Sequence, residues 1–163
     1  MPSPGFSFPR ALPPLHLKVP PALLAALIAG IMWLVDYFIY RGQPSTLQFY
    51  AGSPIALAGG IISAVGLISF FCAKTTINPI HPERTAELVT SGIFRLSRNP
   101  IYLGLVLSLI GLSVRLASPP TLFGPLVFAC YTHYFQILPE ERILAAVFGD
   151  EYERYKANVR RWL

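Results

Sequence analysis

Apolar and polar positions divide this chain into blocks. Apolar runs cover residues 22–40, 49–73, 101–116 and 121–138. A helix needs about 20 such residues to cross a bilayer, a length the first two runs meet and the last two approach. Ser118-Pro119-Pro120 makes a tight turn between runs three and four, so these read as a helical hairpin. Beyond Pro139, Leu144, Phe148, Tyr152, Tyr155 and Val159 recur at helical spacing opposite Arg142, Asp150, Glu153, Arg154 and Lys156. That pattern predicts an amphipathic helix over 140–163, lying on the membrane surface or on the bundle. The predicted fold is all-α: an integral-membrane bundle of four transmembrane helices, the last two a helical hairpin, plus a C-terminal amphipathic helix.

Residues 1–21 hold seven prolines and cannot form a regular helix. They lack the charged start, short apolar core and small-residue cleavage site of a signal peptide, so a retained proline-rich N-terminal arm is expected. Residues 22–163 form a single domain, with a loop over 74–100 between spans two and three.

Composition supports the membrane reading. The chain is 53% hydrophobic and only 13% charged, with mean hydropathy +0.52, where a soluble domain carries about 25% charged residues. Its net charge is +5, and the placement of that charge is informative. Of 13 Lys and Arg residues, only Arg41 and Arg115 fall in the first and third connections; the other 11 lie on the opposite side. The positive-inside rule then puts both termini and the loop over 74–100 in the cytoplasm. The basic residues flank apolar blocks and form no stripe interleaved with aromatics, which argues against nucleic acid. Cys72 and Cys130 sit in apolar runs outside any CxxC or Cys/His cluster, so no metal site is expected.

Small residues mark helix contacts. Ala56, Gly60 and Ala64 repeat every four residues on span two, and Gly104, Ser108 and Gly111 make a similar strip on span three. Such spacing lets backbones approach closely in lipid.

Candidate chemistry gathers at two places. Thr132, His133, Gln136 and Glu140 share one helix face by their spacing. Pro139 is expected to break the helix there and turn Glu140 toward the middle loop, with Glu141 beside it. Ser97-Arg98-Asn99-Pro100 leads into span three, with Asn99 as N-cap and Pro100 in the first turn. The N–H groups of a helix start favour an anion. One place thus offers N–H donors and a carboxylate that accepts an ammonium, a combination suited to a zwitterionic amino-acid group.

Four motifs carry a resemblance. They are Leu88-Val89-Thr90-Ser91-Gly92, Arg98-Asn99-Pro100-x-Tyr102-x-Gly104, Glu140-Glu141, and Phe148-Gly149-x-x-Tyr152-x-x-Tyr155. In this order and spacing the chain resembles the integral-membrane isoprenylcysteine carboxyl methyltransferases and their bacterial relatives. It is similar in the same region to phospholipid N-methyltransferases. The resemblance covers roughly residues 75–163; the first two spans match only in character.

The resemblance implies methyl transfer from S-adenosyl-L-methionine to a lipophilic or membrane-delivered acceptor on the cytoplasmic side. Carried over by position, the cofactor contacts Glu87, Leu88 and Val89, then Phe94, then Asn99, Pro100, Ile101 and Tyr102, then Glu140. Glu140 would take the cofactor amino group and Asn99 with nearby N–H groups its carboxylate, while Tyr102 and Phe94 line the adenosyl pocket. His133, Gln136 and Glu141 are the catalytic candidates. The family often has His at the position of Asn99, and its eukaryotic prenylcysteine members have Tyr at that of Phe94. Those members also place an Arg where this chain has Gln136, which has neither charge nor a bidentate fork for a substrate carboxylate. That departure suits a phospholipid or small-amine N-methyltransferase. A reading of another class is a non-catalytic protein binding a lipid or partner on the same scaffold.

Overall fold

The structure is a computed structural model that describes residues 19–72 and 88–163. The expected contact at Glu87 lies outside the described residues. Among the described residues the chain is helical and has no strand. Helix α1 (Pro21–Val35) has proline at its first position, where no N–H is needed, and runs on as a π-turn over Asp36–Tyr40. Arg41, at φ 52°, ends it, and the Asp36 carboxylate accepts the Gly42 N–H at 2.9 Å. Helix α2 (Thr46–Cys72) follows. These two rods, 20 and 27 residues long with mean hydropathy 2.2, are long and apolar enough to cross a membrane. Helix α3 (Pro100–Leu116) is apolar but has 17 residues, a length of about 26 Å at 1.5 Å per residue. Leu27, Phe38, Leu57, Ile68 and Phe71 point outward, as side chains bathed in lipid do.

Helices α2 and α3 approach through small residues. A Cβ on Gly59 would strike the Gly104 carbonyl and Ser108, and one on Gly111 would strike Ala56. Ser63 Oγ donates to the Ile101 carbonyl at 2.7 Å, and Ser108 Oγ donates to the Ala56 carbonyl at 3.1 Å. The strip on α3 is the expected Gly104, Ser108 and Gly111. On α2 it is Gly52, Ala56, Gly59, Ser63 and Gly66, in place of the expected Ala56, Gly60 and Ala64. Nothing lies within 4 Å of a Cβ on Gly60, and Ala64 is exposed. A strict four-residue step drifts off a helical seam, whereas alternating steps of four and three average 3.5 residues and stay on it.

Helix α1 packs beside α3, where Ala25, Ile28 and Met32 meet Leu109 and Phe128. The hairpin after α3 turns at Ala117 (φ 52°) and a 3-10 turn over Pro119–Leu122. Thr121 Oγ1 donates to the Ser118 carbonyl at 2.6 Å and lies 2.8 Å from Ser113 Oγ, so the turn is internally hydrogen-bonded.

Helix α4 (Phe123–Thr132), a π-turn over His133–Ile137 and α5 (Leu138–Phe148) form one unbroken rod. The break expected at Pro139 is absent. Proline lacks the N–H of a helical bond and crowds the carbonyl one turn back; the widened π-turn just before it relieves both. The expected single helix over 140–163 is instead α5 and a separate α6 (Asp150–Asn158). Gly149, at φ +50°, makes the corner between them, a conformation that strains any residue with a Cβ. Residue Val159 is extended, and the chain beyond α6 returns to the start of α3.

Candidate active site

The unbroken rod places Glu140 and Glu141 side by side in the first turn of α5, with directions about 100° apart. Their surroundings differ sharply. Glu141 is held by two cations: Arg161 Nε and Nη2 reach its two oxygens at 2.9 and 2.7 Å, and Arg98 Nη1 lies 3.0 Å from Oε1. Arg98 Nη1 also donates to the Tyr152 hydroxyl at 3.2 Å. Hydrogen bonding to Glu141 holds the Arg161 guanidinium above its ordinary value.

Glu140 has no Arg or Lys partner among the described residues. Its Oε1 accepts the Tyr102 hydroxyl at 2.6 Å, from the first turn of α3. Burial pushes its carboxyl up to about 7; the Tyr102 hydrogen bond opposes that rise and the neighbouring Glu141 charge adds to it. Tyr102 itself is buried, with 8% of its surface exposed.

The start of α3 is stitched to the chain beyond α6. Asn99 stands at the N-cap position, and its carbonyl accepts the Leu103 N–H at 3.0 Å. Its side chain makes no capping bond, contrary to expectation: Nδ2 donates instead to the Arg161 carbonyl at 3.0 Å. The nearer carbonyl wins because the segment after α6 folds back onto this point. Ser97 Oγ donates to the same Arg161 carbonyl at 3.3 Å, and the Arg98 N–H donates to the Arg160 carbonyl at 3.0 Å. Pro100 at the first position leaves the N–H groups of Ile101 and Tyr102 ahead of any intrahelical acceptor.

Phe94 lies buried in a 3-10 turn over Gly92–Arg95, and its carbonyl accepts the Tyr155 hydroxyl at 2.7 Å. Burial pushes the Tyr155 hydroxyl up to about 12. Leu88 and Val89 are half-buried just before this turn. Gln136 is 2% exposed, and its Nε2 donates to the Val19 carbonyl at 2.6 Å, while Oε1 is buried without a partner among the described residues. His133 meets Tyr134 edge-on at 5.0 Å between ring centres. Hydrogen bonds thus join Tyr102 to Glu140, Asn99 to Glu141 through Arg161, and Phe94 to Tyr155. The structure links neither His133 nor Gln136 to them by such a bond. Sequence reasoning missed Arg161; its only signal was a basic cluster after α6. Tyr152 and Tyr155 were signalled by the spacing of the last motif.

Two long apolar helices mark this as a membrane protein, and a partly buried carboxylate lies against the start of a third helix. The sequence profile of the phospholipid methyltransferase family matches residues 47–151. The chain belongs to that family, a family of membrane methyltransferases. A Haemophilus influenzae protein without a functional name is 43% identical over 63 residues, 39% of this chain and all of that one. A probable protein-S-isoprenylcysteine O-methyltransferase of Oryza sativa is 29% identical over 111 residues, 68% of this chain and 58% of that protein. Methanethiol S-methyltransferase 1 of Bradyrhizobium diazoefficiens is 27% identical over 150 residues, 82% of this chain and 50% of that protein. The chain therefore spans about half the length of these two named relatives. No solved structure matches.

Proposed function

We propose that this protein transfers a methyl group from S-adenosyl-L-methionine to a lipophilic acceptor that reaches the site from the bilayer. The observation that carries this reading is the contrast between the two carboxylates. Glu141 is neutralised by Arg98 and Arg161, whereas Glu140, half-buried, has the Tyr102 hydroxyl as its side-chain partner among the described residues and no cation. A buried carboxylate without a cation is costly and suits an ammonium ligand. The start of α3, one hydrogen bond away, supplies N–H donors for a carboxylate. Together they fit the amino-acid end of the methyl donor.

In this reading Glu140 holds the amino group, and Asn99 with the Ile101 and Tyr102 N–H groups holds the carboxylate. Leu88, Val89, Phe94 and Pro100 line the remainder. S-adenosyl-L-methionine supplies an activated methyl carbon on a sulfonium centre. The protein's contribution is alignment of the acceptor with that carbon and exclusion of water. His133 and Gln136, on the rod that carries Glu140, orient the acceptor.

In this reading the chain is one domain over 22–163 with spans at 22–40, 49–73, 101–116 and 121–138. Helix α5 carries the fourth rod out of the bilayer, α6 lies at the membrane surface, and the termini and site face the cytoplasm. Gln136 favours a second reading of the acceptor. Buried and uncharged, it gives no cation for a carboxylate, and an amine or thiol suits it better than a prenylcysteine carboxyl group. A phospholipid or small-amine N-methyltransferase and a thiol methyltransferase both agree with it.

The test is calorimetric titration of detergent-purified protein with S-adenosyl-L-methionine and its demethylated product. Saturable binding that Glu140→Ala abolishes supports the assignment. A radiolabelled methyl-transfer screen over carboxyl, amine and thiol acceptors then reads the acceptor class. No binding to folded protein would leave the non-catalytic scaffold as the better account.

A further inference from the structure

Arg161 touches both halves of this site without facing its centre. Its guanidinium grips Glu141 with two bonds, at 2.9 and 2.7 Å. Its carbonyl accepts from Asn99 Nδ2 at 3.0 Å and from Ser97 Oγ at 3.3 Å. One residue therefore joins the first turn of α5, which carries Glu140, to the start of α3, which carries Tyr102.

We propose that Arg161 is a positioning residue of the cofactor site: its carbonyl orients the Asn99 amide, and its guanidinium, added to that of Arg98, fixes Glu141 and offsets its charge so that Glu140 is the carboxylate left for an ammonium. This rests on the assignment of Glu140 and Asn99 made above.

The chemistry of each bond supports the role. A backbone carbonyl only accepts, so the Asn99 Nδ2 must face Arg161, and the second N–H and Oδ1 are thereby fixed in direction. The fork on Glu141 is planar and bidentate, a geometry that an ammonium cannot reproduce. Arg161 is about one-third exposed and Glu141 13%, so the pair is only partly screened by solvent.

Charge gives the role a distinctive signature. The ionisable groups acting on Glu140 are Tyr102 from α3 and Glu141 beside it on α5, and Glu141 is in turn paired with Arg98 before α3 and with Arg161, Arg98 also meeting Tyr152 on α6. Glu141 with Arg98 and Arg161 carries net charge +1. Without Arg161 that trio becomes a neutral pair. The Glu140 carboxylate then loses favourable potential, and its ionisation moves to higher pH.

The experiment uses the whole chain in detergent micelles and measures affinity for S-adenosylhomocysteine by calorimetry on both sides of neutrality. The variants are R161A, R161K and, as a control on the site itself, E140A. R161A is expected to weaken binding about tenfold or more and to move the pH midpoint of binding upward. R161K should return the midpoint toward the wild-type value but recover only part of the affinity, because it restores charge without the fork. If E140A abolishes binding while R161A leaves affinity and midpoint unchanged, the role of Arg161 is overturned and the site stands. If E140A binds normally, the site assignment fails and this inference with it. If R161A yields no folded protein, R161K decides: folded R161K with wild-type affinity overturns the proposal.

Discussion

Tyr102 and Glu140 meet across the junction of α3 and α5, the tyrosine hydroxyl donating to the carboxylate at 2.6 Å. The bond ties the two elements that frame the site, and it is the described polar contact that favours ionised Glu140. Tyr102→Phe removes it while keeping the ring. The expected outcome is about tenfold weaker binding of S-adenosylhomocysteine near neutral pH, the size of a lost hydrogen bond to a charged group. The pH midpoint of binding should also rise. Calorimetry on folded protein reads both, and unchanged affinity would detach Tyr102 from the cofactor site.

Acidity around Glu140 gives two opposite pH trends. Its folded value of about 7 lies above the ordinary 4.5, so the folded protein holds a proton that the unfolded chain releases. Stability from this group is full below pH 4.5 and declines as pH rises through 7, by about 3 kcal/mol in all. Cofactor affinity runs the other way, because the ammonium needs the carboxylate ionised; it should fall about tenfold per unit below pH 7. Thermal melts and titrations over the same pH series check the pair. In Glu140→Gln both trends should flatten.

The α2–α3 seam predicts a contrast between adjacent glycines. Gly59→Ala places a methyl group on the Gly104 carbonyl and should cost about 1–3 kcal/mol through overpacking. Gly60→Ala meets nothing within 4 Å and removes a flexible residue from a helix, so it should be neutral or slightly stabilising. Melting temperatures in one detergent compare them. Equal losses would mean that the seam runs along the four-residue repeat instead.

Sidedness is tested by single cysteines in a background with Cys72 and Cys130 replaced by serine. A cysteine at Gln43, in the connection between the first two spans, should react with a membrane-impermeant thiol reagent in intact cells. One at Asn158 should react only after permeabilisation. The reverse pattern would invert the topology.

Much of the site was legible as parts. Asn99-Pro100 marked a helix start because proline is favoured at the first helical position, where no N–H is needed. The Glu140-Glu141 pair stood out because acidic residues at the end of an apolar run need a reason. Which glutamate is spoken for was not legible, since the two differ by one position and their partners lie 38 and 20 residues away. Pro139 misled for a related reason. Its local effect on a helix is known, but the remedy is a widening of the preceding turn, which carries no residue signature of its own.

The sequence by itself determined the apolar blocks, the placement of the basic residues between them, the turn at Ser118-Pro119-Pro120 and the residue types of the candidate site. Hydrophobic transfer and backbone preference act over neighbouring residues, so these are readable along the chain. Only the tertiary structure decided which glycines of α2 face α3, that α4 and α5 form one rod, and that Arg161 reaches back to Glu141 and Asn99. Those outcomes depend on groups brought together by packing, and a difference of one residue in helical phase turns a side chain by about 100°.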